Sequence, residues 1–148
     1  MVSYAAEIFI DRPPEQVFPY LIDASHHGDW MDVAGTHAVD GGPTGIGSKV
    51  AGRMVRGPMR MDIEYEVSEL DPNRRVVYRS TKGPMLWAST FAVEPEGTGS
   101  RVASSGTVQF QGFLRLLQPL LSGEVQGGEE KELRRLKALL EGSEARTP

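Results

Sequence analysis

Between Val33 and Phe110 six strand patterns follow one another with only turn residues between them. Strands joined so closely have no room for the crossover that parallel pairing requires, so they form a meander of antiparallel neighbours. The clearest runs from Met59 to Val67, where Met59, Met61, Ile63, Tyr65 and Val67 alternate with Arg60, Asp62, Glu64 and Glu66. One face of that strand is dry and the other wet. Met85, Trp87, Ser89, Phe91 and Val93 alternate with Leu86, Ala88, Thr90 and Ala92, so neither face of their strand is charged. Asp40 to Gly47, Gly57-Pro58, Asp71-Pro72-Asn73, Lys82-Gly83-Pro84 and Glu94 to Ser100 supply the turns. Arg75 to Thr81 carries adjacent Val76 and Val77, which leaves its register open; our reading turns Tyr78 inward.

A sheet with one apolar face needs a cover. The stretch from Phe113 to Glu141 offers one: with Leu114 at the zero of a helical wheel, Leu117, Leu121, Val125, Gly128, Leu136 and Leu139 share a stripe. Glu130 with Arg134, and Glu132 with Arg135, are placed on the solvated side. Pro119 predicts a kink, and Gly127-Gly128 predicts a break or a close approach to another backbone. At the other end, Val2 to Ile10 alternates as a strand. Pro14 then opens a short helix that is distorted at Pro19, and Ala24 to Asp32 is a loop or single helical turn anchored by Trp30. The order is strand, two short helices, six strands, long helix. This α+β arrangement, a curved antiparallel seven-stranded sheet around one C-terminal helix, leaves a space between them that is the expected site.

With 148 residues the chain suits one domain, read as residues 1–142 followed by a polar tail at 143–148. It has no cysteine, hence no disulfide framework, thiolate nucleophile or Cys-based zinc site. A net charge of −4 with acids and bases interleaved argues against nucleic acid as a partner. No apolar run approaches the roughly 20 residues that cross a bilayer, and no basic segment precedes a long apolar one at the start. The expectation is a cytoplasmic protein without stable membrane insertion.

Several local patterns recur in one known superfamily. They are Ile8-Phe9-Ile10-Asp11 closing the first strand, Pro14-Glu15-Gln16-Val17-Phe18 with Tyr20, Leu21 and Asp23 in the first helix, and Trp30 a short loop later. Tyr65-Glu66-Val67, Arg75-Val76-Val77-Tyr78-Arg79-Ser80 and the hairpin Gly97-Thr98-Gly99-Ser100-Arg101-Val102 follow in order. In order and spacing the chain, from Val2 to Glu141, resembles the START-like, helix-grip (SRPBCC) proteins, and within them the polyketide cyclase/dehydrase and lipid-transport family. The resemblance implies a ligand-holding cavity; the family pattern carries no invariant catalytic set. Pro19 and Gly127-Gly128 depart from it.

His26-His27-Gly28-Asp29-Trp30, with Asp32 and His37 nearby, gathers the most suggestive ionisable groups. Adjacent histidines seldom address one ion, so no metal is expected, and these groups read as solvated loop polar residues around Trp30. No Gly-x-Ser-x-Gly elbow occurs, and Gly41 to Gly47 lacks the lysine of a phosphate loop. The ligand-facing set is Trp30, Met54, Met61, Ile63, Tyr65, Tyr78, Met85, Trp87, Phe91, Leu117, Leu121 and Val125, weighed against a filled core of the same residues. Arg53, Arg56, Arg60 and Arg79 could set a cation against an anionic oxygen, although alternation turns Arg60 outward. The leucine excess of Phe113 to Leu121 could line the cavity entrance, meet a second subunit or touch lipid, and a homodimer contact or packing against the early helices is entertained ahead of lipid. The leading function is non-covalent binding or transport of a hydrophobic or aromatic small molecule. The rivals are a cyclase or dehydratase that needs no cofactor, with His26, Tyr65 and Tyr78 as candidate acid-base groups, and a partner-binding module with a filled core.

Overall fold

The structure, a computed structural model, describes residues 2–56, 59–83 and 85–145. The Gly57-Pro58 turn, Pro84 of the next turn and the end of the tail fall outside the described residues, as do the side chains of Met59, Phe113 and Leu121. Strand β1 (Val2–Ile10) leads into helix α1 (Pro14–Ile22), a 3-10 turn (Ala24–His26) and the single-turn helix α2 (His27–Trp30). Strands β2 (Val33–Ala38), β3 (Lys49–Arg56), β4 (Met59–Asp71), β5 (Arg75–Lys82), β6 (Met85–Glu96) and β7 (Gly99–Phe110) follow, then a 3-10 segment (Gly112–Leu117) and helix α3 (Gln118–Ala145). The seven strands form one sheet in the order β1-β7-β6-β5-β4-β3-β2, antiparallel throughout. The meander therefore folds as its turns dictate, and β1 joins its last strand. This is an α+β helix-grip fold.

Two local features place the inner face. In β4 and β5, Val67 pairs with Tyr78 while Glu69 pairs with Val77, so Ser68 is an extra residue that shifts the register. Tyr78, opposite Ser89 on β6, points inward and is 1% exposed. Nearer the other edge, Gly106 of β7 pairs with Tyr4 of β1 and with Ser89 of β6. Without a side chain at Gly106 the Tyr4 ring crosses β7, and its hydroxyl donates to Ser89 Oγ at 2.8 Å.

The core has two parts. Ile10, Val17, Phe18, Leu21 and Trp30 pack with Leu133, Leu136 and Leu140 of α3 at one end of the sheet. Val2, Tyr4, Met85, Val108, Phe110, Leu114 and Val125 pack at the other. Full burial of a side chain such as Leu136 stabilises the fold by about 1.5–3 kcal/mol.

The terminal helix departs from its sequence reading in three ways. Residues before Gln118 are 3-10 rather than α, so Pro119 sits in the first turn of α3, where a missing N–H costs nothing, and not at a kink. The helix continues through Gly127 and Gly128; the close approach at Gly128 is to the Arg56 guanidinium, not to backbone. Finally, Glu132 belongs to the buried face, and Leu139 is 37% exposed while Leu133 and Leu140 are 1% and 8% exposed. A stripe drawn through leucines while glutamates are assigned to solvent is centred on the wrong side of Leu136.

Candidate functional site

Between the concave sheet and α3 lies a cavity of about 310 Å³. That is near the lower end of the range of roughly 300–1,000 Å³ for small-molecule sites. Its apolar wall comes from alternate residues of four strands, Met54 on β3, Ile63 on β4, Met85, Trp87 and Phe91 on β6 and Val108 and Phe110 on β7. Met31, Val33, Val125 and Leu120 complete it, and Leu120 is 76% exposed, so it lies at the rim.

Beyond Trp87 the wall becomes polar through Tyr65 and Tyr78. Tyr65 lies 5.2 Å from the Trp87 ring and 5.4 Å from Tyr78, edge-on to the latter. Behind both is His27, fully buried, with Nδ1 2.6 Å from the Tyr65 hydroxyl and Nε2 3.0 Å from the Leu21 carbonyl oxygen. A carbonyl only accepts, so Nε2 carries the proton and Nδ1 accepts from Tyr65. The Tyr78 hydroxyl lies 3.4 Å from Nε2. Burial pushes the His27 pKa down to about 4, outweighing the hydrogen bond to Leu21, and the imidazole is neutral. Burial likewise raises the Tyr65 and Tyr78 phenols, which stay protonated.

The other pole of the cavity is ionic. Arg56, on the same face of β3 as Met54, places Nε 2.9 Å from Asp32 Oδ2 and Nη2 3.4 Å from Glu132 Oε2. Glu132 Oε2 also accepts the Asp32 backbone N–H at 2.7 Å, and Arg135 reaches Asp32 Oδ1 at 2.7 Å. One turn back on α3, Glu129 accepts from Ser104 and bonds to Glu132. Both glutamates are 6% exposed. Burial raises both carboxyl pKa values, and Glu129 beside it drives Glu132 well above the usual carboxylate range. Asp32 is held low despite burial by its bonds to Arg135 and Arg56. The arrangement favours one proton shared by the glutamate pair, which leaves two negative charges against the two arginines.

Gly128 faces this cluster. A Cβ there would fall 2.5 Å from Arg56 Cζ and 2.9 Å from Nε, whereas at Gly127 it would meet nothing within 4 Å. The two glycines should therefore respond oppositely. Gly127→Ala is expected to raise unfolding stability by about 0.5–1 kcal/mol through helix propensity. Gly128→Ala should lower it by about 1–3 kcal/mol by displacing a guanidinium held by two carboxylates. Urea denaturation of the two variants checks this; equal effects would contradict the packing at Arg56.

Of the ligand-facing residues read from the sequence, Met54, Ile63, Tyr65, Tyr78, Met85, Trp87, Phe91 and Val125 line the cavity. Trp30 does not: it is fully buried behind Phe91, ring centres 5.5 Å apart. Met61 packs between the two core clusters, outside the lining, and Leu117 is 37% exposed on the 3-10 segment. The side chain of Leu121 is outside those described. His26 is away from the cavity, stacked on Tyr20 with ring centres 4.6 Å apart and 2.9 Å from Asp29. Its neighbour His27 is the interior histidine, contrary to the reading of both as solvated loop groups; it heads α2 and follows Trp30 into the core. Sequence reasoning missed Tyr4, Asp32, Ser89, Glu129 and Glu132 as lining groups and offered Arg56 to an anionic ligand oxygen, where the structure pairs it with Asp32 and Glu132. Alternation placed Arg56 beside Met54 and Ser89 beside Trp87 and Phe91, and Glu129 and Glu132 lie four and seven residues after Val125, all usable signals.

The sequence model of the family described as polyketide cyclase / dehydrase and lipid transport matches residues 1–141. No curated protein matches the chain. Among solved structures, TTHA0849 from Thermus thermophilus superposes with a TM-score of 0.82 at 23% identity, covering 95% of this chain and 98% of that one. A conserved protein from Geobacillus kaustophilus gives 0.75 at 14% identity, over 96% and 97% of the two chains. The di-domain ARO/CYC StfQ from the steffimycin biosynthetic pathway gives 0.74 at 14% identity, covering 97% of this chain and 52% of that one. At such identities the likeness speaks for the fold alone. Among the described residues no helix is long and apolar enough to cross a membrane.

Proposed function

Because the chain belongs to the polyketide cyclase/dehydrase and lipid-transport family, we propose that it binds one compact hydrophobic or aromatic molecule, without covalent attachment, between its sheet and α3. The observation that carries this reading is the cavity itself. Its wall of Met54, Met85, Trp87, Phe91 and Phe110 encloses about 310 Å³, where a filled core would interdigitate. That volume suits a small ring system better than a lipid with two long chains. Methionines let such a wall adapt to an irregular ligand, and Trp87 and Tyr65 offer ring faces for stacking.

Native mass spectrometry of freshly purified protein tests the reading. A small-molecule adduct is expected, and Val125→Trp, which places an indole in the cavity, should abolish it while leaving the protein folded. Persistence of the adduct in that variant would place the ligand elsewhere.

One observation favours a second reading, an enzyme of cyclase or dehydratase type: a proton-holding carboxyl pair and two buried phenols face an apolar cavity. Groups so placed can give and take protons from a ligand shielded from water. Turnover of a polyketide-like substrate that falls by about 100-fold or more in Glu132→Gln or Tyr65→Phe would support it. Binding without turnover, or turnover indifferent to both changes, would leave the binding protein.

A further inference from the structure

The ionic pole narrows the chemistry of the occupant. We propose that the cavity takes a ligand carrying a hydrogen-bond-donating polar group, a hydroxyl or a protonated amine, held by Glu129 and Glu132, and that it refuses carboxylates. The proposal rests on the binding reading above and adds the class of ligand.

The pole presents the carboxyl groups of Asp32, Glu129 and Glu132 to the cavity. An ionised carboxylate offers about four lone-pair sites. Glu129 uses one for the Ser104 hydroxyl, Glu132 receives the Asp32 N–H at 2.7 Å and Arg56 Nη2 at 3.4 Å, and the two glutamates bond to each other. The donors that surround the pair are thus already directed at carboxylates. Arg56 turns Nε to Asp32 and Nη2 to Glu132, so its charge is already opposed by two carboxylates. The Tyr4 hydroxyl, at the edge of the pole, donates to Ser89 and shows the cavity its lone pairs. The two carboxyl groups keep lone pairs that a donating ligand group can fill.

Charge points the same way. A carboxylate entering here would lie beside Asp32, Glu129 and Glu132 and would find the charge of the nearest guanidinium already opposed by two carboxylates. It would also lose its hydration against a wall of Trp87 and Met85. Burying an ion without a free counter-charge is costly. An ammonium meets the opposite situation, since its arrival can displace the proton shared by the glutamates and keep the pole neutral. A hydroxyl needs no change of charge at all.

Four matched probes separate the outcomes: naphthylmethanol, naphthylmethylamine, naphthoic acid and methylnaphthalene, titrated into the whole protein at neutral pH by calorimetry. The alcohol and the amine should bind tighter than methylnaphthalene. The acid should bind roughly ten-fold or more weakly than the alcohol, the scale of one hydrogen bond to a charged group. Glu129→Gln puts an amide donor in the pole and keeps Glu132 to balance Arg56, so it should narrow the gap between acid and alcohol to a few-fold. Acid binding as tight as alcohol, alcohol binding no tighter than methylnaphthalene, or a gap unchanged in Glu129→Gln overturns the proposal and leaves cavity binding intact. Failure of all four probes, the apolar parent included, removes the binding reading and this inference with it.

Discussion

Arg56→Leu should lower unfolding stability by about 3–5 kcal/mol, the largest loss expected of any single substitution at the polar pole. The magnitude comes from what is left behind rather than from what is removed. Arg56 has 19% of its side chain exposed, and its partners Asp32 and Glu132 have 16% and 8%. Without the guanidinium, Asp32 keeps Arg135, but the glutamate pair, itself buried, loses its nearest cation. Protonation of the pair can relieve part of this. The penalty should therefore shrink as pH falls toward the ordinary carboxylate range and grow as pH rises, which distinguishes charge from packing. Arg56→Lys should cost less than Arg56→Leu but more than nothing, because one ammonium cannot reproduce a fork shared between two carboxylates. Urea denaturation at several pH values measures all of this. A loss below about 1 kcal/mol, the worth of an exposed pair, would mean that the cluster is solvated and the pole wet.

The same residues show where sequence reading stops. The sheet was legible because its signal is local: its clearest strands alternate and the turns carry glycine or proline, so Met85, Trp87 and Phe91 fall on one face without knowledge of any partner. Tyr78 was harder, since Val76 and Val77 are both apolar, and the residue inserted at Ser68 acts from the neighbouring strand. The polar pole was not legible for a different reason. Glutamate on a helix is read as solvent-facing, and Glu132 with Arg135 makes a plausible surface pair. Only tertiary structure brings Arg56, 76 residues earlier in the chain, to within 3.4 Å of Glu132. His27 repeats the lesson: next to an exposed histidine in a polar loop it looks solvated, and only the packing of Trp30 against Phe91 explains why the turn is driven inward.

His27 gives the second large effect, and its sign follows from its direction of shift. The folded-state pKa is about 4 against an ordinary 6.5, so the unfolded chain binds this proton first as pH falls. The neutral imidazole thus contributes stability that is fully present above pH 6.5 and is lost as pH falls through that value toward about 4. The loss amounts to about 3 kcal/mol by linkage. Glu129 and Glu132 act oppositely, because their raised values give stability present at low pH and lost as pH rises. The wild-type profile is a sum of the two, so the informative quantity is a difference. His27→Gln retains a donor for the Leu21 carbonyl and an acceptor for Tyr65 but cannot titrate. Subtracting its stability profile from that of the wild type cancels the glutamates and should leave a slope confined to the window between pH 6.5 and about 4. Parallel profiles would mean that His27 has the same pKa folded and unfolded, as a solvated ring would. A ring in water would have left its place behind Tyr65, and the phenol on the cavity wall would have to find another partner.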